Sequence, residues 1–108
     1  MLAADDEPAA AAVTAAELLL GVELARGRRR ASRRRFVEGL LDLLAVEPYD
    51  LAVARVHAEL LAHVRRQGTP RGAHDLIVAA TAAARGCPVV TLDRRGFADL
   101  PGVRVVVP

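Results

Sequence analysis

Short apolar runs alternate with longer stretches of helical periodicity along this chain, and this alternation limits its fold more than any other feature. Four runs are typical of strands and cover residues 9–13, 45–48, 89–92 and 103–107. Between them, apolar residues recur three and four positions apart, as on one face of a helix. Strands separated by helices favour parallel pairing, because a parallel pair needs a long crossover connection. The sequence therefore predicts an α/β fold with a short, mostly parallel sheet covered on both faces.

Capping residues indicate where the helices begin and end. Thr14 and Glu17 fit a capping box that begins the first helix, and Gly27 ends or bends it. Asp50 is placed to cap the third helix, and a fourth helix runs over about residues 75–85. The predicted apolar stripes of the second and third helices are Phe36, Val37, Leu40, Leu41 and Leu44, and Val53, Val56, Leu60 and Val64.

The composition fits one small domain with an aliphatic core. The 108 residues are 53% hydrophobic but only 3% aromatic, so the core must consist of alanine, valine and leucine. No apolar run approaches the ~20 residues of a membrane-spanning helix, so we expect no membrane association. Cys87 is the single cysteine, which excludes an internal disulfide and a cysteine-based metal site. A lone thiol is compatible with the cytoplasmic location that we expect.

Positive charge is concentrated in one segment. All 15 basic residues are arginines, and seven of them lie among residues 26–35. A net charge of +2 and a pI of about 9.5 mildly favour an anionic partner. The segment could bind RNA phosphates, or it could be a solvated connection between two helices.

Three acids fall where such a sheet would place chemistry. Glu17 follows the first strand, Asp75 begins the fourth helix, and Asp93 follows the strand near residue 89. Each has an alternative role as a capping or turn residue. Together, however, they would meet at the carboxyl ends of parallel strands, where ligands bind in open sheets. Clustered carboxylates attract a hard divalent cation such as Mg²⁺ or Mn²⁺, as in metal-dependent nucleases.

At these acids the sequence resembles a known family. The segments VTAAELLLG (residues 13–21), AHDLIVAATA (residues 73–82) and VVTLD (residues 89–93) are similar to those around three acids of PIN-domain ribonucleases of the VapC toxin type. The segment around Asp75 is the most distinctive. The similarity extends from about Asp6 to the C-terminal end, although residues 50–68 match only in pattern.

The resemblance implies a PIN-like three-layer α/β/α fold and a Mg²⁺- or Mn²⁺-dependent endoribonuclease. It further implies a toxin that dimerises and is opposed by a VapB-type antitoxin. Asp75 would ligate the metal directly, Glu17 would ligate it or position its water, and Asp93 would complete the acidic cluster. Thr91, Arg94 and Arg95 lie beside these acids and are candidates for contact with RNA.

The resemblance departs from the family at the N-terminus. A PIN domain opens with a central strand that ends in a catalytic aspartate, and nothing here matches that strand. Asp5 and Asp6 follow only four residues, and residues 1–8 resemble the loop that leads into the family's second strand. We therefore expect a single domain over residues 1–108 that lacks the family's first strand and helix, and that alone is poorly stable and weakly active or inactive.

Three functional hypotheses follow from the sequence. The first is a metal-dependent ribonuclease toxin. The second is a catalytically dead remnant that still binds antitoxin or RNA. The third is an unrelated α/β domain whose acids only cap helices and turns. Proximity of the carboxylates of Glu17, Asp75 and Asp93 separates the third hypothesis from the others.

Overall fold

The computed structural model describes residues 8–108, which form four helices, four short strands and one 3₁₀ turn. The predicted loop over residues 1–8, with Asp5 and Asp6, lies outside the described residues except for Pro8. The elements are β1 (Ala9–Ala11), α1 (Ala12–Leu24), α2 (Gly27–Leu43), β2 (Ala45–Glu47), α3 (Leu51–Gln67), α4 (Ala73–Ala84), β3 (Val89–Val90), the 3₁₀ turn (Arg94–Gly96) and β4 (Val105–Val106).

The strands pair in parallel, as the alternation of strands and helices predicted. In the first pair, Ala9 of β1 lies opposite Ala45 of β2. In the second, Val89 of β3 lies opposite Val105 of β4. The α/β class is therefore confirmed. However, the described strands form two separate two-stranded sheets, and β1 does not pair with β3.

Small side chains hold the core together. Helices α3 and α4 pack along each other, with Val53 and Leu60 on α3 and Ala79 and Ala80 on α4 at most 1% exposed. The alanines of α4 let the two helix backbones approach closely. The predicted stripe of α3 is thereby confirmed, and so is its cap, because the Asp50 carboxylate accepts a hydrogen bond from the amide of Val53 at 3.1 Å.

The predicted start of α1 is wrong. The helix begins at Ala12, and Ala11 precedes it without any side-chain capping bond. Alanine has the highest helix propensity, so the helix forms as soon as the chain leaves the three-residue strand. As a result, Thr14 and Glu17 do not form a capping box, and Glu17 lies in the second turn of α1 instead of the first.

The arginine-rich segment is helical rather than a connection. Only Ala25 and Arg26 separate α1 from α2, and Gly27 adopts a left-handed conformation with φ of 61° at the start of α2. The remaining arginines of the segment therefore lie on α2. The predicted stripe of α2 is correct at Val37, which is buried, but wrong at Phe36, which is 70% exposed. Phe36 directly precedes the buried Val37, and adjacent side chains of a helix point about 100° apart, so Phe36 is turned away from the core.

Candidate functional site

The three predicted acids come from three different elements. Glu17 projects from α1, and Asp75 is in the first turn of α4. Asp93 immediately precedes the 3₁₀ turn, beyond the end of β3. Asp75 is half-buried, whereas Glu17 and Asp93 are exposed. Glu17 and Asp93 are 76 residues apart in the sequence, and contacts of His74 and Gly96 connect their elements to the start of α4.

His74 connects α1 to α4 at this region. Its Nδ1 lies 2.8 Å from Oε1 of Glu17, and both side chains are largely exposed. His74 directly precedes Asp75 but points toward Glu17, because adjacent residues of a helix point about 100° apart. His74 is therefore the side chain that holds the Glu17 carboxylate near the start of α4.

Asp75 lies against the 3₁₀ turn. A Cβ atom added to Gly96 would be 2.6 Å from Oδ2 of Asp75, so only a glycine leaves room for the carboxylate as it stands. A Cβ atom added to Gly72, on the other side, would be 3.5 Å from the same oxygen, an ordinary contact. Among residues 8–108, the Asp75 carboxylate has no hydrogen-bond or ion-pair partner. The half-buried carboxylate thus lies close to Gly96 and Gly72, and its oxygens are available to a ligand.

Thr91 and Asp93 shape the turn that carries the third carboxylate. The Thr91 hydroxyl accepts a hydrogen bond from the Asp93 amide at 3.0 Å and lies 3.2 Å from the Asp93 carbonyl oxygen. Oδ1 of Asp93 accepts a hydrogen bond from the Arg95 amide at 3.0 Å. Both residues therefore have the turn-forming roles that the sequence left open. Arg94 and Arg95 are exposed beside them, where they are accessible to an anionic substrate.

The donor atoms of this region suit a hard cation. All three acids offer carboxylate oxygens, and the backbone cradle at Gly96 keeps space beside Asp75 that a larger residue would fill. In the part of the chain that the structure covers, no group of three or more acidic, histidine or cysteine side chains converges closely enough to hold a metal ion. A shared cation therefore requires the exposed carboxylates of Glu17 and Asp93 to rotate toward Asp75.

A groove of about 350 Å³ borders Glu17. Its lining residues are Glu17, Leu18, Gly21, Arg33, Phe36 and Val37. A separate cleft of about 390 Å³ lies between the end of α3 and the loop around Asp99, and none of the predicted site residues lines it. The sequence did not indicate that Arg33 and Phe36 border Glu17. Helical spacing alone cannot show which face of α2 turns toward α1.

A second charged cluster contains none of the three predicted site acids. Arg85, at the end of α4, binds Glu47 at 3.0 Å and Asp50 at 2.9 Å, and so ties β2 and the start of α3 to α4. The hydrogen bond from the Val53 amide, followed by that from Arg85, lowers the pKa of Asp50 below its ordinary value. The same carboxylates raise the pKa of Arg85, which stays charged. This cluster is structural, since its acids are occupied by Arg85.

Comparison with known proteins identifies relatives of this chain. The PIN domain pattern matches residues 1–103. The chain is 38% identical over 95 residues to the tRNA(fMet)-specific endonuclease VapC of Salmonella typhimurium. The matched region covers 86% of this chain and 69% of that protein. It is also 38% identical over 102 residues to Ribonuclease VapC5 of Mycobacterium tuberculosis. This match covers 94% of this chain and 74% of that protein.

A solved structure agrees with the sequence matches. The DNA-bound VapBC complex from Salmonella typhimurium superposes with a TM-score of 0.83 at 33% identity, over 89% of this chain and 71% of that chain. Within the described residues, no helix is both long and apolar enough to cross a membrane.

Proposed function

Since this chain belongs to the PIN-domain family and is similar to VapC ribonucleases, we propose that it is an endoribonuclease and the toxin of a VapBC toxin–antitoxin pair. The observation that carries the proposal is the placement of the three acids: Glu17 contacts His74, which directly precedes Asp75, and Asp75 lies against Gly96 in the turn that follows Asp93. The family match excludes the hypothesis of a domain that is unrelated to this family.

Different residues of the site have different proposed roles in metal binding and RNA binding. We assign Asp75 as the main metal ligand, because its carboxylate is half-buried and has no partner among the described residues. Glu17, held by His74, ligates the metal or orients a water molecule. Asp93 adds a third carboxylate, and the guanidinium groups of Arg94 and Arg95 are placed to bind phosphate oxygens.

Mg²⁺ or Mn²⁺, when bound by these carboxylates, would supply an activated water molecule and a positive charge that stabilises the phosphodiester transition state. The protein's own contribution is to gather the carboxylates and to hold the RNA. The missing side chain of Gly96 leaves room for the Asp75 carboxylate, and the Thr91 hydroxyl supports the turn on which Asp93 lies.

We also propose a VapB-type antitoxin and a second copy of this chain as partners. The similar structure from Salmonella typhimurium is that of DNA-bound VapBC. On this chain, Leu20 and Leu24 lie one turn apart on α1 and are 54% and 73% exposed. Exposed leucines at this spacing suit an apolar helix of a partner. Co-purification with the antitoxin, lost in Leu24→Glu, tests that surface.

The ribonuclease activity is tested by incubating the purified chain with RNA and Mg²⁺. Because the chain lacks the family's first acid, we expect weak cleavage that stops when the metal is chelated and that is abolished in Asp75→Ala. The matched control is Asp42→Ala, which removes an exposed carboxylate from α2 and should leave cleavage unchanged. Cleavage that persists in Asp75→Ala would refute the assigned site.

The second candidate function is a binding protein that does not cleave RNA. It is favoured by the lack of a converged three-residue metal group within residues 8–108. Antitoxin or RNA binding without cleavage at any Mg²⁺ or Mn²⁺ concentration would support this candidate over the enzyme.

A further inference from the structure

The arginine-rich face of α2 forms a groove that no proposed role yet uses. The groove has a volume of about 600 Å³ and is lined by Arg28, Arg29, Ser32, Arg33 and Phe36. Every one of these side chains is exposed, and Phe36 is the only aromatic residue among them. Five residues on one face of α2 thus combine positive charge with an exposed aromatic ring.

This groove is continuous with the candidate site. Arg33 and Phe36 also line the groove that borders Glu17. The Arg33 side chain crosses α1 at Gly21, where an added Cβ atom would lie 3.4 Å from one of its guanidinium nitrogens. Gly21 is one turn beyond Glu17 on the same face of α1. A ligand in the α2 groove can therefore extend directly to Glu17.

The positive charge of the groove is not neutralised by the protein. Arg30 and Arg34 point to α1, where both pair with Glu23 at 3.0 and 3.4 Å. The groove residues Arg28, Arg29 and Arg33, by contrast, have no carboxylate partner anywhere in residues 8–108. One helix thus carries two sets of arginines, of which only one is available to an anion from outside.

We propose that α2 is a second binding surface for the RNA substrate, where a single-stranded segment next to the cleaved bond lies in the groove. Arg29 and Arg33 pair with successive phosphates, and a base stacks on Phe36. This inference rests on the ribonuclease function proposed above and adds that the chain recognises single-stranded RNA next to the cleaved bond. Exposed aromatic rings interleaved with basic residues suit single strands, because duplex bases are already stacked on each other.

The test measures RNA binding in an Asp75→Asn background, so that cleavage does not interfere. A fluorescein-labelled single-stranded RNA of about 15 nucleotides is titrated between about 50 and 200 mM salt. We expect Arg29→Gln/Arg33→Gln to weaken binding about tenfold. The slope of log K against log salt should fall in magnitude by about 1.4, because each phosphate contact to a single strand contributes about 0.7. Phe36→Leu should weaken binding about fivefold or more and leave the slope unchanged.

The matched control is Arg30→Gln/Arg34→Gln. It removes the same charge from the same helix at the same spacing, but from arginines already paired with Glu23. It should change the slope by less than half as much as the groove pair. Circular dichroism of each variant verifies that α2 stays folded. Equal effects of the two pairs would overturn the proposal, because net charge alone would then explain binding.

Two further outcomes separate this proposal from the function on which it rests. If the unsubstituted chain cleaves RNA with Mg²⁺ but Arg29→Gln/Arg33→Gln and Phe36→Leu bind RNA normally, the groove proposal fails. The groove would then be assigned to a protein partner instead of RNA. If no divalent cation supports cleavage but the same variants still lose RNA binding, the ribonuclease function fails and the groove proposal stands.

Discussion

Replacing Gly96 with alanine should displace the Asp75 carboxylate without unfolding the domain. The new Cβ atom would lie 2.6 Å from Oδ2 of Asp75 and 3.4 Å from its Cγ. Oδ2 must therefore retreat by about 0.8 Å to reach the 3.4 Å at which ordinary contacts begin. The atom that moves is the end of a short, rotatable side chain, so we expect the free energy of unfolding to change by less than about 1 kcal/mol.

A displacement of this size matters at a metal site. Mg²⁺ requires near-ideal octahedral geometry with oxygen ligands at about 2.0–2.1 Å. Misplacement of a reacting group by about 1 Å can cost about 100-fold in rate. We therefore expect kcat/KM for RNA cleavage to fall by about 10- to 100-fold in Gly96→Ala, equivalent to about 1.4–2.7 kcal/mol of transition-state stabilisation. Cleavage of a labelled RNA under single-turnover conditions measures the loss.

Gly72→Ala is the matched control, because its Cβ atom would lie 3.5 Å from the same Oδ2 and requires no movement. We expect its cleavage rate to stay within about twofold of the unsubstituted chain. The reasoning is refuted if Gly96→Ala cleaves RNA at the unsubstituted rate, or if Gly72→Ala loses as much activity as Gly96→Ala.

Three stability changes should follow from the packing and the charges. Leu60→Ala removes a side chain that is 1% exposed and should cost about 2–5 kcal/mol in urea unfolding. Gly39→Ala should raise the free energy of unfolding by about 0.5–1 kcal/mol, because an added Cβ meets nothing within 4 Å in this helical position. Asp50→Asn should be less stable than the unsubstituted chain at neutral pH. The pKa of Asp50 is lowered in the folded state by Val53 and Arg85, so its stabilisation is present above the ordinary pKa of 3.8 and is lost as the pH falls through the folded value. The difference between the two proteins should thus disappear in urea unfolding at low pH, and a constant difference would contradict the assignment.

The order of elements was predictable because the sequence carries strong local signals. The stripe of α3, its cap at Asp50 and the parallel pairing each follow from spacing or capping chemistry that acts within a few residues. The start of α1 was not predictable in the same way, since a run of alanines before Thr14 fits a strand or a helix equally well. The structure assigns three of these alanines to β1 and the next to α1.

The sequence indicated candidate acids for the site but not the contacts that those acids make. Glu17, Asp75 and Asp93 stood out because they follow or precede buried segments. The pairing of His74 with Glu17 depends on how α1 and α4 face each other, which no local pattern encodes. The same holds for Phe36, whose exposure is set by the rotation of α2 about its axis.

The central claim is that carboxylates from α1, α4 and the 3₁₀ turn bind one divalent cation together. Mn²⁺ is paramagnetic and broadens the NMR signals of nearby amides, so its titration into isotope-labelled protein tests the claim directly. We expect the amides of Glu17, Asp75 and Asp93 to broaden together at substoichiometric Mn²⁺, and Asp75→Asn to abolish all three effects. Broadening confined to one of these residues, or spread evenly over the acidic surface, would contradict a shared site.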